Sequence, residues 1–335
     1  MDLQEIYQDM QKDMRLIEQE LYDALSQADS NLKEPALHLL KAGGKRLRPL
    51  FVLMSGSLGE YCLERLKSVA VSLELIHMAT LVHDDIIDDA DLRRGQPTVR
   101  AKWDNRIALY TGNYILAQAL QYISRVKEKQ VHQTLSKALV QMGLGEIYQL
   151  RDFFNVDQHL RHYLRRIKRK TALLISVSCQ LGAQVSQLSE REVQQLWRYG
   201  YYTGMAFQIT DDLLDMTGDR QTTGKPHGSD VRQGNITIPL IYTLMREEWR
   251  RHAVPLIRKI QALTAESAVT DTAEQLEELT QRLIGIVHQS GGIQYAQQLA
   301  ERYLAKAKDA LSSFPPTRER ERLLVVADAI AFRRS

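Results

Sequence analysis

The sequence predicts an all-α protein. Three observations carry that prediction: long segments repeat apolar residues at three- and four-residue steps, strand signals are weak throughout, and the 335 residues include only eight prolines and 7% aromatics. Charged residues at 25% and hydrophobic ones at 44% describe an ordinary folded globular chain. No shift in composition marks a boundary, and the flanks of the duplicated motif described below do not recur at a fixed period. Residues 1–335 are therefore read as a single helical domain.

The elements follow from the spacing. Residues 3–28 place Leu3, Ile6, Met10, Met14, Ile17, Leu21 and Leu25 on one face, an amphipathic helix that needs a partner surface. A second helix over 33–42 ends at Gly43-Gly44. Helices are then expected over 49–58, 62–89, 105–126, 129–153, 157–184, 189–217 and 236–248, with several more towards the C-terminus. Gly95-Gln96-Pro97, residues 218–235 and Phe314-Pro315-Pro316 break the pattern.

Composition narrows the function classes. With 44 basic and 41 acidic residues the formal charge is +3, too even for a general nucleic-acid binder, and the basic run Arg161–Lys170 reads mostly as a solvated face. Cys62 and Cys179 each fall within a helical segment, which argues against a disulfide framework and fits a reducing interior. The N-terminus lacks a basic-then-apolar signal pattern and no stretch approaches about 18 uninterrupted apolar residues, so a cytoplasmic location is expected.

The most informative feature is one acidic motif present twice, as Asp84-Asp85-Ile86-Ile87-Asp88 and Asp211-Asp212-Leu213-Leu214-Asp215. Positions four apart share a helix face about 5–6 Å apart, so Asp84 pairs with Asp88 and Asp211 with Asp215. Standing alone, either copy would read as a solvated helix end or a capping cluster. The repeat, with apolar spacers both times, points instead to carboxylates that need a cation to offset them. Magnesium suits them, because it takes oxygen ligands and usually combines one or two carboxylates with substrate phosphates.

Other groups are suited to phosphate. Gly43-Gly44-Lys45-Arg46-Leu47-Arg48-Pro49 sets three cations beside two glycines at a helix boundary. Arg93-Arg94-Gly95 follows the first acidic motif, and His77 lies two turns before Asp84 on nearly the same face, whereas His83 is turned about 100° away and is read as structural. Lys170 and Thr171 are the last polar residues before an apolar helix, where inward-facing groups would line a cavity. Gln208 precedes Asp211 by three positions, and Lys225 sits in a loop that could close over phosphate.

Together these residues resemble the trans-isoprenyl diphosphate synthases over nearly the whole chain. Both acidic motifs, the trailing Arg93-Arg94, the Gly44–Pro49 segment, the Lys170-Thr171 pair and Gln208 match the family's motifs. Ala36–Lys45 and Leu73–Ala79 are most similar to the large, catalytic subunits (component II) of two-part heptaprenyl diphosphate synthases, which make menaquinone side chains. The resemblance implies a bundle of long antiparallel helices around a central cavity. It further implies head-to-tail addition of isopentenyl diphosphate to an allylic diphosphate such as farnesyl diphosphate, with two or three magnesium ions. Asp84, Asp88, Asp211 and Asp215 would be ligands, with Asp85 and Asp212 acting directly or through water. Arg93, Lys170 and Lys225 would hold the allylic diphosphate, Lys45, Arg48, His77 and Arg94 the isopentenyl diphosphate, and Thr171 and Gln208 would add dipoles near the cation.

Chain length should depend on the helix below Asp84. Ala79 and Thr80 are small there, leaving a long tunnel, and Ile76 and Leu73 lie one and two turns deeper as candidates for the next constriction. A dimer is implied across the helices near 105–126 and 129–153, either with an identical chain or with a small regulatory subunit (component I). No nucleic acid is expected, and membrane contact only at product release. Two departures from the family stand out: Gly112-Asn113-Tyr114, and Gly234-Asn235 before Thr237-Ile238-Pro239, which lacks a cation that often serves the allylic diphosphate. Asn113 is read as lying outside the site. The alternatives are a class I terpene cyclase, disfavoured by a second all-Asp motif, and a non-catalytic subunit, disfavoured by two intact ones.

Overall fold

The computed structural model describes residues 2–93, 95–218, 228–265 and 270–331. In chain order the elements are α1 (Leu3–Asp9), α2 (Gln11–Ser26), α3 (Ser30–Lys41), α4 (Leu47–Gly56), α5 (Leu63–Ile87), β1 (Leu92–Arg93), β2 (Gln96–Pro97), α6 (Val99–Lys102), α7 (Asn105–Ile123), α8 (Lys129–Asp152) and α9 (Leu160–Ile167). A π-helical turn, Lys168–Ala172, leads into α10 (Leu173–Val185) and α11 (Glu190–Thr217). After these come α12 (Ser229–Arg232), α13 (Ile238–Leu244), α14 (Glu247–Ala265), α15 (Thr270–Gln289), α16 (Gly292–Ala310) and α17 (Arg318–Ala331). The all-α prediction holds: among the described residues the only strands are β1 and β2, a two-residue antiparallel pair with Leu92 opposite Pro97 and Arg93 opposite Gln96.

Three predicted segments are subdivided. The first amphipathic stretch breaks at Met10, although Met10 N–H still donates to Ile6 and Met14 N–H to Met10, which is why its apolar period runs through the break. The segment expected over 157–184 contains the π turn. The helix expected over 236–248 ends at Leu244, and α14 begins at Glu247.

The chain forms two compact units. The first comprises Met1–Leu139, Leu174–Gly200 and Lys308–Ala327. Its centre is α5, packed against α2, α4 and α7. This helix is long and apolar enough to cross a bilayer, but 67% of its most apolar window is buried, as expected of a core helix. Ser72 Oγ on α5 donates to the Ala119 carbonyl of α7 at 2.9 Å, satisfying a buried hydroxyl within the helix pair.

The second unit comprises Val140–Leu173, Tyr201–Ala307 and Asp328–Ser335. Tyr163, Ile167, Met205, Ile209, Ile236, Ile241, Ile257 and Val287 lie in its core. Tyr242 of α13 and Tyr295 of α16 stack with centroids 4.4 Å apart.

Candidate active site

In the first unit, α5 carries the first acidic motif at its C-terminal end. Asp88 caps the helix, its N–H donating to the Asp84 carbonyl at 2.8 Å. Asp84 and Asp88 are both partly exposed, whereas Asp85 is only 2% exposed. Arg93 on β1 holds Asp85, with Nε 2.9 Å and Nη2 2.7 Å from Oδ1. Burial pushes the Asp85 carboxyl above its ordinary range, and the Arg93 guanidinium opposes that rise. The hairpin delivers Arg93, since Gly95 adopts φ +74° at its turn and Ala90 N–H donates to the Asp85 carbonyl at 3.0 Å. Arg93 is thus engaged with the motif itself, and its neighbour Arg94 lies outside the described residues.

The basic segment sorts its cations by burial. Gly43 and Gly44 have φ +79° and +148°, and Arg46 itself is left-handed at φ 45°. Arg46 is buried: its guanidinium meets Glu18, Glu74 Oε1 at 3.3 Å and the Leu40 carbonyl at 3.1 Å. Lys45 is exposed and Arg48 half-buried, so the two cations assigned to phosphate keep access to solvent. On α5, His77 and Thr80 are half-buried, and Leu73, Ile76 and Ala79 are buried.

His83 is half-buried and its ring lies against a glycine of α7. A Cβ at Gly112 would lie 2.4 Å from His83 Nε2, so any larger residue there would have to displace the imidazole. The neighbouring Asn113 is exposed.

In the second unit, α11 carries Gln208, Asp211, Asp212 and Asp215. Thr171 Oγ1 donates to Gln208 Oε1 at 2.6 Å, Gln208 Nε2 to Asp212 Oδ1 at 2.8 Å, and the Tyr163 hydroxyl to Asp212 Oδ2 at 2.7 Å. Asp212 is only 3% exposed, while Asp211 is exposed and Asp215 half-buried. Asp215 Oδ2 accepts from the Asp230 N–H at 3.2 Å. Lys170 and Thr171 both fall in the π turn, an irregularity common at functional sites.

A glycine sets this register. A Cβ at Gly204 would lie 2.5 Å from Ala172 Cα, so its absence lets α11 close on the π turn and bring Gln208, one turn further on, to Thr171. Gly204→Ala is expected to destabilise the protein by about 1–3 kcal/mol through overpacking and to lower kcat together with it. Denaturant unfolding and steady-state kinetics would check this, and wild-type values in both would contradict it.

A cavity of about 100 Å³ lies against Lys170, Gln208 and Asp212, with Asp230, Asn235, Thr237, Arg166 and Ile167 also in its walls. Asp230, Thr237 and Tyr163 were missed by sequence reasoning. Asp230 could have been suspected as a carboxylate in the linker after the second motif. Tyr163 could have been suspected as an apolar position, four before Ile167, within a basic run. Thr237 Oγ1 is buried without a hydrogen-bond partner among the described residues. Asn235 donates its N–H to the Asp230 carbonyl at 2.7 Å, and Lys225 lies outside the described residues.

Burial raises the Asp212 carboxyl to about 8, with Asp230 and Asp211 adding to the rise and the Tyr163 and Gln208 hydrogen bonds opposing it. The native state therefore binds a proton that the unfolded chain releases near the ordinary value of 3.8. The group's contribution is fully present below that value and is lost as pH rises through about 8. Asp212→Asn should flatten the pH dependence of metal-free thermal stability between these limits, with the Tyr163 hydroxyl turning to accept from the new amide. An unchanged slope would contradict the assignment.

Each motif offers carboxylate oxygens that fit a hard cation, Asp84 and Asp88 in the first unit and Asp211 and Asp215 in the second. Among the described residues no group of three or more His, Cys, Asp or Glu could cage a metal. Magnesium bound by few carboxylates plus phosphate oxygens needs no such cage.

These helices and this polar network define a class. The polyprenyl synthetase family model matches residues 29–278, and the chain belongs to that family, an all-α class of trans-prenyltransferases. It is 46% identical over 328 residues, 98% of this chain and 90% of the relative, to heptaprenyl diphosphate synthase component 2 of Bacillus subtilis (strain 168). The crystal structure of heptaprenyl diphosphate synthase from Staphylococcus aureus matches with a TM-score of 0.87 and 39% identity, covering 97% of this chain and 99% of that one. Polyprenyl synthase from Caulobacter crescentus CB15, crystallised with calcium and isoprenyl diphosphate, matches with a TM-score of 0.87 and 29% identity over 98% of this chain and 97% of that one.

Proposed function

We propose that this chain extends an allylic diphosphate, farnesyl diphosphate in the first instance, by successive head-to-tail addition of isopentenyl diphosphate to give heptaprenyl diphosphate for menaquinone side chains. The carrying observation is the 46% identity, over 98% of the chain, to a relative named for the heptaprenyl product. A cytoplasmic location is part of the proposal.

Asp84, Asp88, Asp211 and Asp215 would hold magnesium, and the relative crystallised with calcium and isoprenyl diphosphate supports a divalent cation in this role. When bound, magnesium neutralises charge that builds up on the departing diphosphate. Arg93, Lys170 and Lys225 hold the allylic diphosphate, and Arg93 also fixes Asp85. Lys45, Arg48, His77 and Arg94 hold isopentenyl diphosphate and aim its double bond at the allylic carbon, so that attack is effectively intramolecular. The allylic C–O bond breaks, the new C–C bond forms, and the proton lost from the condensing unit passes to the released diphosphate. Thr171 and Gln208, joined at 2.6 Å, present fixed dipoles to the developing cation.

The relative's name, component 2, supports a requirement for a second component. Exposed apolar side chains on α7, Leu109 at 47%, Tyr110 at 46% and Leu120 at 47%, support pairing through that helix. The test is incubation of the purified chain with farnesyl and isopentenyl diphosphates and magnesium, with and without a small partner subunit, followed by product-length analysis. Heptaprenyl diphosphate is expected at least with the partner present. No product under either condition would overturn the proposal.

A further inference from the structure

A second cavity in the same unit, of about 290 Å³, lies beside the π turn. That volume is near the lower end of small-molecule pockets, about 300–1,000 Å³. Its walls include Arg165, Arg166 and Arg169, with His162 alongside and Asp152 as the only carboxylate among the lining residues. Arg166 is accounted for structurally: Nη2 donates to the Ile236 carbonyl at 2.8 Å and Nη1 stands 4.0 Å from Asp152. Asp152 also accepts from Gln158 Nε2 at 2.9 Å, so it has two partners of its own.

Arg169 is different. Its guanidinium sits 4.9 Å from the Tyr148 ring centroid, a cation–π contact that uses none of its N–H groups as hydrogen-bond donors. Nη1 is buried and has no hydrogen-bond partner among the described residues. Room for this side chain comes from Gly145, where a Cβ would lie 2.8 Å from Arg169 Cβ. Arg169 is half-buried with one enclosed, unpartnered donor, and Arg165 and His162 are exposed; walls that carry more arginine than carboxylate favour an oxyanion, and arginine forks match phosphate oxygens best.

We propose that this cavity binds a phosphate or diphosphate group, held by Arg169 with Arg165 and His162, as a site separate from the cavity lined by Lys170, Gln208 and Asp212. Only Arg166 lines both cavities. The group could belong to a free anion or to an anionic lipid headgroup, and the chemistry of recognition is the same. The proposal stands independently of the prenyl-transfer reading, because none of its residues is assigned to substrate or metal.

The test is calorimetric titration of the magnesium-free full-length protein with inorganic phosphate and diphosphate, alongside sedimentation with phosphatidylglycerol or phosphatidylcholine vesicles. Saturable binding is expected, weakened at least about tenfold by Arg169→Gln and less by Arg169→Lys, and for inorganic phosphate changed by less than about twofold by Lys170→Gln. Arg165→Gln serves as a second variant if Arg169→Gln melts early. Arg169-dependent binding of the free anions assigns a soluble ligand; Arg169-dependent sedimentation with phosphatidylglycerol alone assigns a headgroup. Absence of both, or binding that Lys170→Gln abolishes and Arg169→Gln leaves intact, would overturn the proposal.

Discussion

Asp84→Asn and Asp211→Asn are each expected to lower kcat for chain extension by about 10²–10³-fold while leaving the melting temperature close to that of the parent. Burial separates the aspartates. Within each motif the second aspartate is buried and tied into the protein, Asp85 by Arg93 and Asp212 by Tyr163 and Gln208. The first aspartates are more open to solvent, Asp84 half-buried and Asp211 exposed, so their loss is expected to disturb less buried polar structure than loss of Asp85 or Asp212. Asp85→Ala should behave differently, since it strands Arg93 in a partly buried position and should cost stability as well as activity. Steady-state kinetics at saturating magnesium, paired with thermal melts, separates the two classes. Equal loss of stability across all of these variants would show that the exposed aspartates are structural.

Ala79→Phe is expected to shorten the main product to the farnesyl or geranylgeranyl range. Ala79 is 1% exposed, and Ile76 and Leu73, one and two turns deeper on α5, are fully buried. If a prenyl chain grows along this face, the ring occupies space meant for substrate and the protein tolerates it. If the face is ordinary packing, the ring overpacks the core and destabilises it by about 1–3 kcal/mol. Product chromatography and a melting curve on the same sample therefore discriminate. Short products with a near-parental melting temperature support the tunnel, and full-length products with a lowered one contradict it.

Much of the helical order was legible because α2, α5 and α11 carry long apolar periods, and the acidic motifs were legible because residues four apart must share a face. What could not be read depends on partners remote in sequence. Nothing within Asp-Asp-x-x-Asp says which of two adjacent carboxylates turns inward; that is settled by Tyr163, 49 residues from Asp212, and by Arg93, eight from Asp85. Similarly, three basic residues in four positions look alike until the left-handed backbone at Arg46 sends its side chain to Glu74. The π turn has no signature of its own, since Lys168–Ala172 satisfies helical spacing equally well as α-helix. The β1–β2 pair is too short to show alternation. Arg94 and Lys225, two of the cations assigned to phosphate, lie outside the described residues.

We propose that both aspartate clusters act on one diphosphate through shared divalent ions. Manganese titration followed by electron paramagnetic resonance, with and without a non-reactive thio analogue of farnesyl diphosphate, addresses it most directly. Tight manganese binding is predicted to require the analogue and to be lost as a set in either Asp84→Asn or Asp211→Asn. Two independent sites, each filling without the analogue and each abolished only by its own substitution, would contradict the account.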